Sequence, residues 1–220
     1  MPRFPIEELS LPAWVILGSL GALSVFAATV VLAKLIQFRR AGLGRGGRAH
    51  TAAAHWCAGD RAAAQTTLRE TGGLRAALLH ELFEALAASP DARARAQARG
   101  TRRASADLAH LRRHLRGLEA IVQAAPMLGL LGTVVGMIEA FGRLSQSAGA
   151  PDPAELAGGI WTALITTAVG LTVAIVFYFL SVWLESRVDR EREALDDLLT
   201  QILETADAPP EAPTKLGAAR

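Results

Sequence analysis

Charge is missing from three long stretches of this 220-residue chain: no Asp, Glu, Lys, Arg or His lies between Leu9 and Ala33, between Ala120 and Ile138, or between Leu156 and Leu184. A soluble chain scatters its apolar residues along amphipathic elements, so such blocks exclude an ordinary soluble domain. Cysteine is nearly absent as well. Cys57 stands alone, so no intramolecular disulfide supports the fold, and an inert thiol is its plain reading. No Cys/His cluster has metal-ligand spacing, and no metal or cofactor is expected. A net charge of +2 is too small for a nucleic-acid footprint. No nucleophile–base pair appears in the apolar blocks, and Gly132-x-x-x-Gly136 lacks the Lys-Ser/Thr of a phosphate-binding loop, so an enzyme is not expected.

What is present is apolar length. A hydrocarbon core of roughly 30 Å needs about 20 helical residues, and each block is long enough to cross it. The expected fold is all-α: an integral membrane protein with three transmembrane helices, whose long helices extend into a cytoplasmic helical bundle. The first block is too long for a cleavable signal and lacks a small-residue cleavage site after it, so it is read as a retained helix. Lys34, at its end, is expected to snorkel towards the headgroups. Trp161, Tyr178 and Trp183 suit interfacial anchoring of the third span.

Arginine sets the orientation. Residues 39–117 carry fifteen arginines against six acidic residues, whereas the loop from Ser145 to Glu155 has no Lys or Arg. The positive-inside rule places the first region in the cytoplasm and the loop outside. The expected layout is an outer N-terminal segment (1–10), a first span (11–38), a cytoplasmic helical region (39–117), a second span (118–144), an outer loop (145–156), a third span (157–184), a cytoplasmic helix (185–206) and a disordered tail (207–220). Within the cytoplasmic region, GLGRGGR (42–48) reads as a loop. One helix is expected from Thr51 to Glu70, a second from Leu74 to Ala88, and a third from Pro90–Asp91 that runs on towards the second span.

Inside the membrane, small and hydroxyl residues stand out. Gly129, Gly132 and Gly136 repeat at helical spacing in the second span, and Gly159, Ala163, Thr167, Gly170 and Ala174 share a face of the third. Small residues let helices approach closely in lipid, and for the glycines alone plain helix packing is the leading reading. Thr133, Thr162, Thr166, Thr167 and Thr172 add hydroxyls to those faces, which suggests a polar seam or a narrow wet path. Pro126 removes a helix N–H in the second span and frees a carbonyl. With no ionisable group deep in any span, this chain cannot complete an ion path alone, and a second subunit must supply that group.

The stretches APMLGLLGTVVGMIEAF (125–141) and GGIWTALITTAVGLTVAI (158–175) strongly resemble the paired signatures of the MotA/TolQ/ExbB proton-channel family. The layout of spans and insertion is similar too. The resemblance implies a subunit of a bacterial inner-membrane ring, a pentamer in TolQ- and ExbB-like members, around single-span partner helices of the ExbD/TolR type. The partner carries the membrane aspartate, and threonines matching Thr133 and Thr167 face it. Passage of protons would then drive an envelope machine for outer-membrane transport, envelope maintenance or gliding; one charge crossing 100 mV releases roughly 2.3 kcal/mol. Two positions depart from the TolQ/ExbB pattern: Thr162 stands where a glutamate is common and Val176 where a proline is. Glu139, near the outer end of the second span, is a candidate for admitting protons in place of that glutamate, with an exposed interfacial acid as the plainer reading. A non-conducting membrane scaffold of the same fold is the alternative function.

Overall fold

The computed structural model of the chain describes residues 11–44, 46–87, 92–146 and 153–207. The expected outer segment (1–10), the Pro90–Asp91 helix start, the middle of the outer loop and the tail from 208 lie outside the described residues. Among those described, every regular element is an α-helix: α1 (Leu11–Arg40), α2 (Gly47–Cys57), α3 (Arg61–Arg69), α4 (Leu74–Ala87), α5 (Ala92–Arg112), α6 (Leu115–Gln146) and α7 (Pro153–Asp207). Three helical stretches, within Leu11–Arg40, Ala92–Ser145 and Leu156–Ala206, are long and apolar enough to cross a membrane. Only 22%, 22% and 28% of their most apolar windows are buried by the chain itself, so most of their apolar surface is left for lipid or other subunits.

The helices group into two compact units. The first comprises α1 as far as Lys34 together with His114–Glu185, and so holds all three apolar blocks. Its small core joins Ile16 and Leu20 of α1 to Ala125 of α6 and Ala174 of α7. Lys34 is only 3% exposed. It falls on the face that carries the buried Ala27 and Val31, at helical spacing of three and four residues, so the protein covers its side chain. Trp161, Tyr178 and Trp183 are all on the outside.

The second unit comprises residues 35–113 and those from Ser186 onwards. Its core is built from the alanine- and leucine-rich faces of α2 to α5 and the end of α7, with Trp56 stacked on Phe83 at a centroid distance of 4.0 Å. The single helix expected from Thr51 to Glu70 is two. Gly59 turns the chain with φ +83°, and Asp60 then caps α3 by accepting a hydrogen bond from the Ala63 amide at 3.0 Å. The glycine-rich exit is also shorter than expected, because α2 already starts at Gly47. α4 is anchored at its start by Arg75, whose Nε and Nη2 each donate at 2.9 Å to the buried Glu191 carboxylate of α7.

Two further boundaries differ from the sequence reading. α5 does not run unbroken into the second span: His114 adopts φ +70° between α5 and α6, the one positive-φ residue other than glycine among those described. α7 runs unbroken past 184 to Asp207, the extension expected of a long helix leaving the third span. Its buried positions recur every three or four residues from Ala163 through Gly170, Phe177, Leu184 and Leu195 to Ile202. A repeat near 3.5 residues keeps one seam facing inwards along a continuous helix. The expected outer loop is narrowed from both sides, since α6 reaches Gln146 and α7 begins at Pro153, where a missing N–H costs a helix nothing.

Candidate functional site: a glycine and threonine seam between two spans

Where α6 and α7 meet, five glycines stand at close contacts between the two helices. A methyl placed on Gly159 would lie 2.6 Å from the Ala140 methyl, and one on Gly136 would lie 2.9 Å from that of Ala163. One on Gly132 would collide with the Thr166 side chain. One on Gly129 would sit 3.0 Å from the Thr167 Cα, and one on Gly170 would lie 2.6 Å from the Ala125 carbonyl oxygen. The partners run in opposite directions along the two sequences, so the helices are antiparallel. Glycine permits this approach at backbone distance, and packing of this kind is what holds helices together in lipid. Ala125 and Ala140, which the sequence reading did not single out, complete the seam; their signal was the same small-residue spacing.

Close approach makes main-chain oxygen available. Thr167 of α7 donates its hydroxyl proton to the Gly129 carbonyl of α6 at 2.7 Å. Thr166, 1% exposed, donates to Ala163 at 2.7 Å and also lies 3.4 Å from the same Gly129 oxygen. A side chain at Gly129 would press on the α7 backbone at 3.0 Å, beside both contacts with that oxygen. Gly129 lies one turn before Thr133, so the cross-helix bond brings Thr167 to the level of Thr133. The half-buried Thr133 donates to Leu130 at 2.7 Å within its own helix.

The remaining candidates are more dispersed. Thr162 is half-buried and bonds back to Gly158 at 3.1 Å. Glu139 is half-buried near the far end of α6, beside Ala140 of the seam. Pro126 lies inside α6, which continues through it, one turn before the Gly129–Thr167 contact. Thr166 and Thr167, adjacent in sequence, differ in setting: one is sealed in the seam and the other remains partly open. Sequence spacing alone could not separate them. At the other end of the same face, the buried Ser181 donates to Glu185 at 3.3 Å. The sequence reading gave that pair no attention. Among the described residues no group of His, Cys, Asp and Glu could hold a metal ion.

Fold and seam together define a multi-pass α-helical membrane protein whose second and third spans are joined through glycine and threonine. The chain belongs to the MotA/TolQ/ExbB proton channel family, whose profile matches residues 72–197, more than half its length. Over 90 residues it is 41% identical to an ExbB homolog of biopolymer transport from Methanothermobacter thermautotrophicus, covering 41% of this chain and 31% of that protein. An ExbB-like protein of Synechocystis is 46% identical over 74 residues, 33% of this chain and 29% of its own. The biopolymer transport protein exbB1 of Vibrio cholerae is 46% identical over 61 residues, 28% and 27% of the two chains. The matched stretch thus spans about a third or less of each of these relatives.

Proposed function

We propose that the chain is a proton-conducting ring subunit of an inner-membrane motor, one that couples the proton-motive force to mechanical work through a single-span partner. The observation that carries this reading is the Thr167–Gly129 bond, which sets a hydroxyl at the level of Thr133 in a seam built mainly of glycine and alanine, with Thr166 sealed inside it. Plain packing needs no hydroxyl there. Thr133 and Thr167 are the lining residues in this reading, Thr162 lies further along the path, Thr166 holds the two helices in register, and Glu139 admits protons from outside.

The spans carry no Asp, Glu, His, Lys or Arg in their interior, so in this reading the group that takes up and releases protons comes from the partner, a single-span protein of the ExbD/TolR type with a membrane aspartate. The apolar surface left uncovered on all three spans suits a ring of copies, five in this reading, embedded in lipid. The N-terminus is outside and the arginine-rich region inside. Biopolymer transport, the role named for the relatives, is the output we assign.

Proton flux into liposomes at fixed membrane potential tests the proposal. Flux is expected from the chain reconstituted with its partner and not from either alone. An assembled complex that passes no protons would leave the non-conducting scaffold as the better account.

A further inference from the structure

The second unit sorts its surface charge by helix. α5 holds six arginines and one acid, Asp107, whereas residues 193–207 of α7 hold five acids and no Lys or Arg. Arg95, Arg99 and Arg102 recur at spacings of four and three, so they share one face of α5, and all three are exposed. The buried Ala96, Gly100 and Ala104 occupy another face, towards the core. On α7, Glu193, Asp197 and Glu204 are exposed at spacings of four and seven, away from the buried Leu195, Leu198 and Ile202. Among the described residues, the side chains of Arg99, Arg102, Glu193, Asp197 and Glu204 form no ion pair within the chain. The two strips are nevertheless level with each other. A methyl on Gly100 would lie 2.6 Å from Leu199 Cδ1, and Arg112 pairs with Asp189 at 2.8 Å. Numbers that rise along α5 fall along α7, so the helices are antiparallel, each advancing about 1.5 Å per residue. Counting outwards from the Gly100–Leu199 contact, Arg102 is level with Asp197 and Arg95 with Glu204.

We propose that these strips are the two halves of a contact between neighbouring copies of this chain, the arginines of α5 in one copy meeting the acids of α7 in the next. The proposal rests on the ring reading above and names the charged faces that join its copies beyond the spans. A ring repeats one heterologous contact, in which a patch of one copy meets a different patch of the next. Rotation about an axis running along the helices carries a copy sideways without lifting it, so the two patches must lie at one height. The arginine and acid strips meet that condition, and they are opposite in sign. An anionic lipid surface would suit the arginines but repel the acids level with them. Opposed charges of this kind decide which faces meet, and in what register, more than they add affinity. Salt screens them, since they are exposed. The apolar surface left uncovered on the spans supplies adhesion without direction.

Charge reversal in the full chain, purified in neutral detergent at low ionic strength, provides the test, with the ring fraction read by native mass spectrometry. Arg99→Glu with Arg102→Glu sets acid against acid, and Asp197→Arg with Glu204→Arg sets base against base. Each pair is expected to lower the ring fraction at least about threefold. All four substitutions in one chain put opposite charges back at every contact and should return the fraction to the wild-type level, which a misfolded variant would not do. A cross-link reads the contact directly in a Cys57→Ser background. Copies carrying Ala106→Cys, level with residue 193, are co-expressed with differently tagged copies carrying Glu193→Cys. A short bis-maleimide should join them into dimers that hold both tags. If the reversed chains fail to fold, this cross-link still decides, because Arg99, Arg102, Asp197 and Glu204 are in place. A ring that forms without the cross-link, or that ignores both reversals, overturns the proposal. So does a ring weakened only by the arginine reversals and only with phosphatidylglycerol present, which would give the arginines to lipid. Each of those results defeats this proposal alone. A chain that stays monomeric in detergent and in liposomes alike defeats the ring reading beneath it.

Discussion

Gly170 and Gly117 are both helical glycines, and the same substitution should move them in opposite directions. A methyl at Gly170 would press on the Ala125 carbonyl oxygen at 2.6 Å, whereas at Gly117 it meets nothing within 4 Å. Gly170→Ala is expected to lose about 1–3 kcal/mol to overpacking, and Gly117→Ala to gain up to about 1 kcal/mol from helix propensity. Thermal unfolding in detergent, with both variants beside the wild type, reads the difference. At this scale the sequence showed which small residues share a helix face and was silent about what they touch. Gly129, Gly132 and Gly136 were visible as a small-residue face. That Gly129 offers its carbonyl to Thr167 depends on the distance between two helices, which spacing within either one does not contain. The burial of Lys34 was out of reach for a related reason. A lysine near a span end has two places to go, and the choice belongs to its neighbours Ala27 and Val31.

Among the elements, α4 and α7 are tied by an ion pair between residues 116 apart in sequence, Arg75 and Glu191. The Glu191 side chain is 4% exposed, so removing its partner strands a buried charge. Such a loss costs on the order of 3–5 kcal/mol. Arg75→Ala should therefore make residues 41–113 sensitive to limited proteolysis at temperatures where the wild type resists. Arg103→Ala, which breaks an exposed pair with Asp107 one turn away, should change resistance by less than about 0.5 kcal/mol. A smaller effect belongs to Asp60, the cap of α3. Asp60→Ala is expected to cost about 1 kcal/mol, readable as a lower unfolding midpoint. The break that Asp60 starts was legible: Gly-Asp is a helix stop followed by a helix start, and it was passed over because the alanine run on both sides reads as one helix. The turn at His114 had no such signal. A histidine in the left-handed region is not announced by composition, and the leucine spacing continues on both sides of it. The Arg75–Glu191 pair was out of reach for the opposite reason, since nothing local links two residues so far apart.

For the molecule as a whole, the charge-free stretches made the three spans legible, because the requirement that a bilayer be crossed by about 20 apolar residues is met nowhere else in the chain. Orientation rests on arginine, and it predicts a labelling pattern. In a Cys57→Ser background, a cysteine at Ser147 should react with a membrane-impermeant maleimide added outside intact cells, and one at Thr66 only after lysis. The reverse pattern would invert the topology. The family was legible through the paired motifs, and the proposed function gives their threonines a physical role in the seam. That role, a proton path that depends on the hydroxyls of Thr133 and Thr167, is the central claim. Its most direct test is proton flux through the assembled complex of ring and partner carrying both Thr133→Val and Thr167→Val. Flux at least tenfold below wild type, with assembly intact, is the predicted result. Wild-type flux from the valine pair would contradict the claim and leave the seam as helix packing alone.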